Sequence, residues 1–196
     1  MTPLVNPIVS PSIPVVLVGL SGSGKSTVGQ LLARRWAIPL LDLDREIERA
    51  AGISIPEIFR REGEGGFRDR EAAVTRSVAL TGPVVVATGG GWMARAELRD
   101  TWPTAVRIWL QVSPREAANR LAGRPGSRPL LMNDSPEAVL EQLLVQRLPA
   151  YRLADYTVDT SSRSPSEVAG LVAALVEKTG EGPGPDPVSH ESRVES

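Results

Sequence analysis

The stretch VVLV at residues 15–18, followed directly by GLSGSGKST at residues 19–27, decides the fold of this chain. An apolar run typical of a buried strand leads into a glycine-rich loop that ends in Lys-Ser-Thr at a predicted helix start, which matches the phosphate-binding pattern G-x-x-x-x-G-K-S/T. The glycines let successive backbone N–H groups converge on phosphate oxygens, and the following helix adds the positive end of its dipole. The alternative is a flexible turn before a helix, and the full pattern in this context argues against it.

The loop predicts a site for a nucleoside triphosphate and Mg²⁺. Lys25 is expected to reach the β- and γ-phosphates, and the Ser26 hydroxyl is expected to be a ligand of Mg²⁺. The pattern leaves the reaction open, because kinases, ATPases, GTPases and nucleotide-gated regulators share it. The loop residues predicted to contact the nucleotide, which the resemblance described below implies to be ATP, are Gly22, Ser23, Gly24, Lys25, Ser26 and Thr27.

Short β-rich runs alternate with helical stretches along the chain. This alternation predicts an α/β fold with a parallel sheet covered by helices on both faces, and ligands at the carboxyl ends of the strands. The predicted strands cover residues 15–18, 40–42, 84–88, 106–112 and 156–159.

Three helices have clear start signals, in which Ser113, Ser135 and Ser164 each precede a proline. Serine is a favoured N-cap and proline is favoured in the first turn. In the last of these helices the apolar residues recur with helical spacing, which predicts one buried face. The residues of that predicted face are Val168, Leu171, Val172 and Leu175.

The chain of 196 residues fits one domain between two tails. Residues 1–13 carry prolines among small polar residues, and residues 179–196 are rich in proline, glycine and charge. Both segments are predicted to be disordered. The single domain is therefore expected to cover residues 14–178.

Composition limits the classes of function. The 22 basic and 23 acidic residues nearly cancel, so no bulk charge would attract nucleic acid or an anionic membrane. No apolar run is long enough to span a bilayer and no secretory signal is recognised, which predicts a cytoplasmic protein. The chain has no cysteine, and its one histidine, His190, lies in the polar tail. Thiolate chemistry and histidine-based triads or zinc sites are thereby excluded.

The stretch LLDLDRE at residues 40–46 places two carboxylates at the end of an apolar run. In an extended strand Asp42 and Asp44 would point to the same face, where they repel each other unless a cation lies near them. Their place at the carboxyl end of a predicted strand points to a ligand. The alternative is that Asp44 only caps a helix beginning at Arg45.

Two stretches bear on the phosphoryl acceptor. Arg68 follows Phe67 near a predicted helix start, where it would present a guanidinium fork to a carboxylate or phosphate, or else pair with a neighbouring Glu on the surface. The run Gly89-Gly90-Gly91 follows the central strand. It predicts close approach of a ligand to the main chain, with a flexible turn as the alternative.

The loop GRPGSRPLL at residues 123–131 carries two arginines between two predicted helices. It is typical of a mobile lid, here about residues 123–134, that brings a cation to the transferring phosphate, and a solvated linker is the alternative. Arg147 and Arg163 have the spacing of ordinary helix-surface charges. The four tryptophans are expected to pack in the core.

Taken together, these stretches resemble the shikimate kinase family. The resemblance implies a three-layer P-loop fold of the nucleoside-monophosphate-kinase type, with a five-stranded parallel sheet in the order 2-3-1-4-5, a substrate-binding helical segment at about residues 43–80, and a lid. It implies ATP-dependent phosphorylation of the 3-hydroxyl of shikimate in aromatic amino-acid biosynthesis. The matching residues are GLSGSGKST, LLDLD, the spaced set Ile55, Phe59, Glu62-Gly63-Glu64, Phe67-Arg68 and Glu71, then GGG, RPLL at residues 128–131, and Arg147 with Pro149 and Tyr151.

The resemblance also implies roles for individual residues, and a monomer. Lys25, Asp44 and Arg128 are the implied catalytic residues, with Asp44 as the base. The implied metal ligands are Ser26 and Asp42. The implied ATP contacts outside the loop are Arg120, Arg128 and Arg163. The implied shikimate contacts are Asp44, Arg68, Gly89, Gly90, Gly91 and Arg147.

Two departures from the family pattern are modest. Ser21 stands where many members have Pro, and Leu43 stands where Thr or Ser is common. Neither change removes a functional group used above. Rival interpretations are a related small-molecule kinase, such as a gluconate kinase or a nucleoside-monophosphate kinase, and, from a different class, a nucleotide-gated regulator that hydrolyses ATP slowly.

Overall fold

Five parallel strands form one sheet in the spatial order β2-β3-β1-β4-β5, which confirms the predicted order. The computed structural model describes residues 10–122 and 135–179. The strands are β1 (Val15–Val18), β2 (Leu40–Asp42), β3 (Val85–Ala87), β4 (Val106–Gln111) and β5 (Tyr156–Asp159).

Helices follow the strands and cover both faces of the sheet, as expected when consecutive apolar residues of a strand are all buried. A single 3₁₀ turn, Trp92–Ala94, follows β3. The α-helices are α1 (Lys25–Trp36), α2 (Leu43–Ala51), α3 (Ile55–Ser77), α4 (Ala96–Arg99), α5 (Pro114–Ala122), α6 (Pro136–Tyr151) and α7 (Pro165–Thr179).

The core is divided by the sheet into two layers of apolar side chains. One layer joins β1 to α5 and α6 and contains Trp92, Trp102 and Trp109; the other packs β1 and β4 against α1 and α7 and contains Trp36. All four tryptophans are buried, which confirms their predicted place in the core. A third, small cluster joins α2 to α3 through Ile47 and its neighbours.

The helix starts largely follow the predicted capping. The Ser113 Oγ accepts a hydrogen bond from Glu116 N at 3.2 Å. At α7 the Ser164 Oγ accepts from Glu167 N at 3.3 Å, while Glu167 Oε2 accepts from Ser164 N at 2.7 Å. This reciprocal pair is a complete capping box. Ser135 precedes α6 as predicted, without a side-chain cap bond.

The prediction that Leu171 is buried on α7 is wrong. Val168 and Val172 of α7 are buried, whereas Leu171 is 43% exposed. Ala169, Ala173 and Val176 complete the buried face instead. Small alanines let the helix lie close to the sheet, so the buried stripe is rotated away from Leu171.

The long helix α3 is bent at Gly63, whose backbone is not helical (φ 70°, ψ −171°). Glycine reaches this region of backbone space without the steric cost that a Cβ imposes. Arg68 therefore lies just beyond the first turn of the second half of α3, close to the predicted helix start.

Residues 1–9, 123–134 and 180–196 lie outside the described part of the chain. These ranges include the predicted lid with Arg128, most of the predicted leader and almost all of the predicted tail. Thr179, which the sequence placed in the tail, is the last residue of α7.

Candidate active site

The phosphate-loop glycines are required by backbone geometry. Gly19, Gly22 and Gly24 all have positive φ, at 140°, 83° and 95°. A Cβ at Gly19 would lie 2.5 Å from the Leu110 carbonyl oxygen, and a Cβ at Gly22 would lie 2.7 Å from that of Ala117. Because a side chain is excluded at both positions, the loop keeps the tight curve that directs N–H groups inward.

Lys25, the first residue of α1, lies inside this curve. It is only 8% exposed, and its Nζ donates to the carbonyls of Gly19 and Leu20 at 2.8 Å each. These bonds hold the ammonium group over the loop, where the motif requires a cation for the β- and γ-phosphates. Ser26 and Thr27 are exposed at the start of the same helix.

The phosphate loop borders a cavity of about 330 Å³ at the carboxyl edge of the sheet. Leu121, Thr160 and Pro165 supply part of its wall beside predicted site residues. The site residues predicted from the sequence that line it are Gly22, Ser23, Gly24, Lys25, Ser26, Thr27, Asp44, Gly90, Arg120 and Arg163.

At one end of this cavity Arg120 joins α5 to the loop that follows β5. Its Nη2 donates to Thr160 O at 2.7 Å and to Glu116 Oε1 at 2.5 Å, and its Nη1 donates to Thr160 Oγ1 at 3.1 Å. A longer bond of 3.4 Å reaches the Gly22 carbonyl. Arg120 therefore supports the phosphate loop as well as lining the cavity. Arg163 is exposed, but it lies in the loop between β5 and α7 rather than on a helix surface, and it donates to the Asp159 carbonyl at 2.6 Å.

The structure corrects the interpretation of LLDLDRE. Asp42 ends β2 and is the N-cap of α2, with Oδ1 accepting from Arg45 N at 3.4 Å. Asp44 is already inside the first turn of α2, so it is not the cap, and the two carboxylates do not share one face of an extended strand. Leu43 between them is fully buried and packs in the core. Asp44 alone of the pair lines the cavity.

The turn Gly89-Gly90-Gly91 collects the predicted acceptor residues. A Cβ at Gly89 would lie 3.4 Å from Asp44 Oδ1. One at Gly90 would lie 3.2 Å from Arg147 Nη1 and 3.3 Å from Ser21 N of the phosphate loop. One at Gly91 would lie 2.7 Å from both terminal nitrogens of Arg68.

The three glycines therefore allow close approach of side chains to the main chain. None of the three has a positive φ, so backbone conformation does not explain them. Close approach was predicted, but of a ligand; the groups that make it here are carboxylates and guanidinium groups.

Arg68 lies between two carboxylates of its own helix. Its Nη1 donates to Glu71 Oε2 at 2.9 Å, and its Nε and Nη2 donate to Glu64 Oε1 at 3.3 and 3.0 Å. Burial works to lower the pKa of Arg68, but Glu71 and Glu64 outweigh it and the pKa lies above its ordinary value. The alternative of a pairing arginine is thus partly right, although the side chain is only 19% exposed.

Glu71 is a residue for which the sequence suggested no role. It is fully buried, and its Oε1 has no hydrogen-bond partner among the described residues. Burial raises the pKa of Glu71 and nearby Asp44 raises it further, against the opposing effect of Arg68. A Cβ at Gly89 would lie 2.5 Å from Oε1, so this carboxylate faces the glycine turn. The sequence signal for its pairing with Arg68 is the spacing of three residues, because side chains three apart are neighbours on a helix.

Arg147 is buried, at 8% exposure, so its interpretation as a helix-surface charge is wrong. It projects from α6 towards Gly90, so that Arg147 and Arg68 bring two guanidinium groups to the glycine turn, although neither lines the cavity beside the phosphate loop. Arginine forks bind carboxylates in two-point contacts. The arrangement suits a small hydroxylated carboxylate held beside Asp44 and the phosphate loop.

The family model and the similar sequences all indicate shikimate kinases. A family model described as Shikimate kinase matches residues 21–177. The shikimate kinase of Bradyrhizobium diazoefficiens is 48% identical over 145 residues, which cover 74% of this chain and 70% of that protein. The shikimate kinase of Rhodopseudomonas palustris is 45% identical over 165 residues, which cover 83% of this chain and 80% of that protein.

Solved structures agree with the sequence relatives. The shikimate kinase from Acinetobacter baumannii in complex with shikimate superposes with a TM-score of 0.80 at 36% identity, covering 89% of this chain and 97% of that one. A gluconokinase from Sinorhizobium meliloti 1021 gives a TM-score of 0.61 at 22% identity over 88% of this chain and 96% of that one, a likeness that shows the shared fold alone. On the family match and these relatives, the chain belongs to the shikimate kinase family, whose members use ATP to phosphorylate shikimate in aromatic amino-acid biosynthesis.

Proposed function

We propose that this chain transfers the γ-phosphoryl group of ATP to the 3-hydroxyl of shikimate across the cleft between the phosphate loop and the glycine turn. The observation that carries this proposal is the glycine turn itself. Asp44, Arg68 and Arg147 approach three consecutive glycines, and Gly90 also lies against Ser21 of the phosphate loop. The proposed base, the two groups proposed to bind the carboxylate and the phosphate loop thus all lie close to one short segment.

On the nucleotide side, the loop amides and Lys25 would hold the phosphates. Gly22, Ser23, Gly24 and Thr27 belong to the same loop and helix start and line the cavity. The positive end of α1 favours the same charge. Arg120 and Arg163 also line this cavity, and the adenosine part of ATP would extend towards them.

Mg²⁺ is the metal that we propose to accompany ATP. Ser26 lines the cavity at the start of α1, and Asp42 is the last residue of β2 at the carboxyl edge of the sheet. Hydroxyl and carboxylate oxygens are donors that suit Mg²⁺, which is commonly held by one or two protein ligands and the substrate phosphates. Ser26 therefore fits this ion, whereas Asp42, which caps α2 and does not line the cavity, would support it through water. When bound, it supplies positive charge to the phosphate oxygens.

On the acceptor side, Arg68 and Arg147 would grip the shikimate carboxylate. Its ring would lie along the turn of Gly89, Gly90 and Gly91, and its 3-hydroxyl would face Asp44. Asp44 would accept the proton of that hydroxyl as the phosphoryl group leaves ATP. A transfer of this kind depends on positioning and on neutralising charge more than on covalent chemistry.

Arg128 lies outside the described residues, and its proposed role rests on the family resemblance. It would bring a second cation, besides Lys25, to the transferring phosphate when the predicted lid closes. We also propose that the protein acts as a monomer in the cytoplasm, without nucleic acid or membrane partners. Within the described ranges no helix is both long and apolar enough to cross a membrane.

An acceptor panel tests the function. ADP release is measured with ATP and Mg²⁺ in the presence of shikimate, gluconate, a nucleoside monophosphate or no acceptor. We expect release with shikimate only, and loss of release when EDTA removes the metal. Release with gluconate would favour the related sugar-acid kinase, and release that does not depend on an acceptor would favour a nucleotide-gated regulator.

A further inference from the structure

Tyr151, the last residue of α6, makes a buried contact with the glycine turn. It is fully buried, and its hydroxyl donates to the Gly90 carbonyl at 2.6 Å. Its ring stacks on Trp109 with the centroids 5.5 Å apart. The ring is thus held from β4, and the hydroxyl is aimed at one carbonyl.

The same hydroxyl lies next to Arg147. Burial raises the pKa of Tyr151 to about 12, and the positive charge of Arg147 only partly opposes this shift. The phenol therefore keeps its proton at neutral pH and remains a donor. Arg147 lies one helical turn before Tyr151 on α6, and a Cβ at Gly90 would lie 3.2 Å from its Nη1.

We propose that Tyr151 is a positioning residue for the acceptor: by holding the Gly90 carbonyl and lying against Arg147, it preforms the pocket that receives the shikimate carboxylate. This role rests on the proposed function of the glycine turn. Tyr151 acts through Gly90 and Arg147 because its hydroxyl is already used inside the protein. Preorganised binding groups lose less conformational freedom when a ligand arrives, so affinity depends on what holds them.

The direct test is Tyr151→Phe, which removes one oxygen and leaves the half-buried Gly90 carbonyl without this donor. We expect the KM for shikimate to rise about tenfold, which is within the range for loss of one hydrogen bond. The kcat and the KM for ATP should stay within about twofold, because the hydroxyl bonds to the glycine turn on the acceptor side. An overall loss of structure would instead move all three constants together.

The chain offers a matched control, because it contains only two tyrosines. Tyr156 lies in β5 and packs at the edge of the opposite core layer, away from the glycine turn. Tyr156→Phe makes the same chemical change and should leave the KM for shikimate unaltered. Equal effects of the two substitutions on that KM would overturn the proposal.

A second measurement does not require Tyr151 to be replaced. In Tyr156→Phe protein grown with 3-fluorotyrosine, Tyr151 gives the one tyrosine ¹⁹F resonance. We expect this resonance to move when shikimate is added and to move much less with ADP and Mg²⁺. If the chemical shift of this resonance does not change when shikimate is added, the positioning role is overturned, even if Tyr151→Phe fails to fold.

The outcomes separate the two proposals. If the unaltered protein does not phosphorylate shikimate, the proposed function fails. If it does, and Tyr151→Phe keeps the same KM for shikimate, the function stands and the role of Tyr151 is wrong.

Discussion

The two sides of the cleft are built in different ways. The phosphate loop is one continuous segment, and its shape comes from its own positive-φ glycines and from Lys25 bonding to carbonyls of the same loop. The acceptor side has no such segment. Asp44 comes from α2, Arg68 and Glu71 from α3, and Arg147 from α6, and they meet only at the glycine turn after β3.

Glycine therefore serves two different purposes in the two halves of this site. In the phosphate loop, glycine is needed because other residues cannot adopt the backbone angles without strain. In the glycine turn the angles are ordinary, and glycine is needed because carboxylates and guanidinium groups occupy the space of a Cβ. Substitutions on the two sides should therefore affect different substrates.

Asp44→Asn has the largest expected effect, since it removes the base and leaves both binding regions intact. We expect kcat to fall about 100-fold to 10,000-fold, the usual range for loss of a general base. Nucleotide affinity, measured by titration with an ATP analogue, should change little. Asp69→Asn, an exposed carboxylate next to Arg68 in the sequence, is the control. Near-normal turnover of Asp44→Asn would contradict its role as base.

Gly91→Ala should damage the acceptor side alone. The new Cβ would meet the Arg68 guanidinium at 2.7 Å, and relieving that overlap requires Arg68 or the turn to move. Overpacking of this kind costs about 1–3 kcal/mol. We expect the KM for shikimate to rise about 30-fold with little change in the KM for ATP. Steady-state kinetics with each substrate varied in turn measures both.

Two further glycine-to-alanine changes serve for comparison with Gly91→Ala: a control at Gly82 and a phosphate-loop counterpart at Gly22. Gly82 has open space around it, so Gly82→Ala should be silent. Gly22→Ala combines a positive φ with a 2.7 Å contact on the Ala117 carbonyl, and we expect the KM for ATP to rise instead. If Gly91→Ala and Gly22→Ala raised the same KM, the separation of the two sides would be wrong.

Much of this molecule could be predicted from the sequence, because the information was local. The phosphate loop, the five strands and the capped helices at Ser113 and Ser164 depend on neighbouring residues, and the structure confirms them. One local prediction is nevertheless wrong: α2 begins at Leu43, so Asp42 and Asp44 do not form an extended pair.

The acceptor side shows the limit of spacing as a guide. Arg147 was expected on a helix surface, because helical position alone does not reveal that the glycine turn and Tyr151 cover it. Glu71 received no role for the same reason. Only the family resemblance indicated Arg147, since a resemblance carries information about contacts between distant segments.

Glu71→Gln should change how stability depends on pH. The pKa of Glu71 is raised in the folded protein, mainly by burial, so the folded protein keeps this proton at a pH where the unfolded chain has released it. Stability should therefore fall as the pH rises from the ordinary glutamate range through the raised pKa, by at most about 1.4 kcal/mol per pH unit. Glu71→Gln should lack this component.

Urea unfolding between about pH 4.5 and 7 measures this effect. The variant should gain stability relative to the unaltered protein as the pH rises. Glu177→Gln on α7, far from the cleft, is the control and should follow the unaltered protein. A difference between Glu71→Gln and the unaltered protein that stays constant across this range would contradict the raised pKa.

The most direct test of the account is shikimate binding when Arg68 is removed. Because loss of Arg68 alone would leave the Glu71 carboxylate buried without its partner, Arg68→Met is combined with Glu71→Gln and compared with Glu71→Gln by calorimetric titration. The account predicts that the Kd for shikimate rises about 100-fold between the two, the size of a lost two-point charged contact, while the Kd for an ATP analogue stays within about twofold. An unchanged Kd for shikimate, or an equal loss of nucleotide binding, would contradict it.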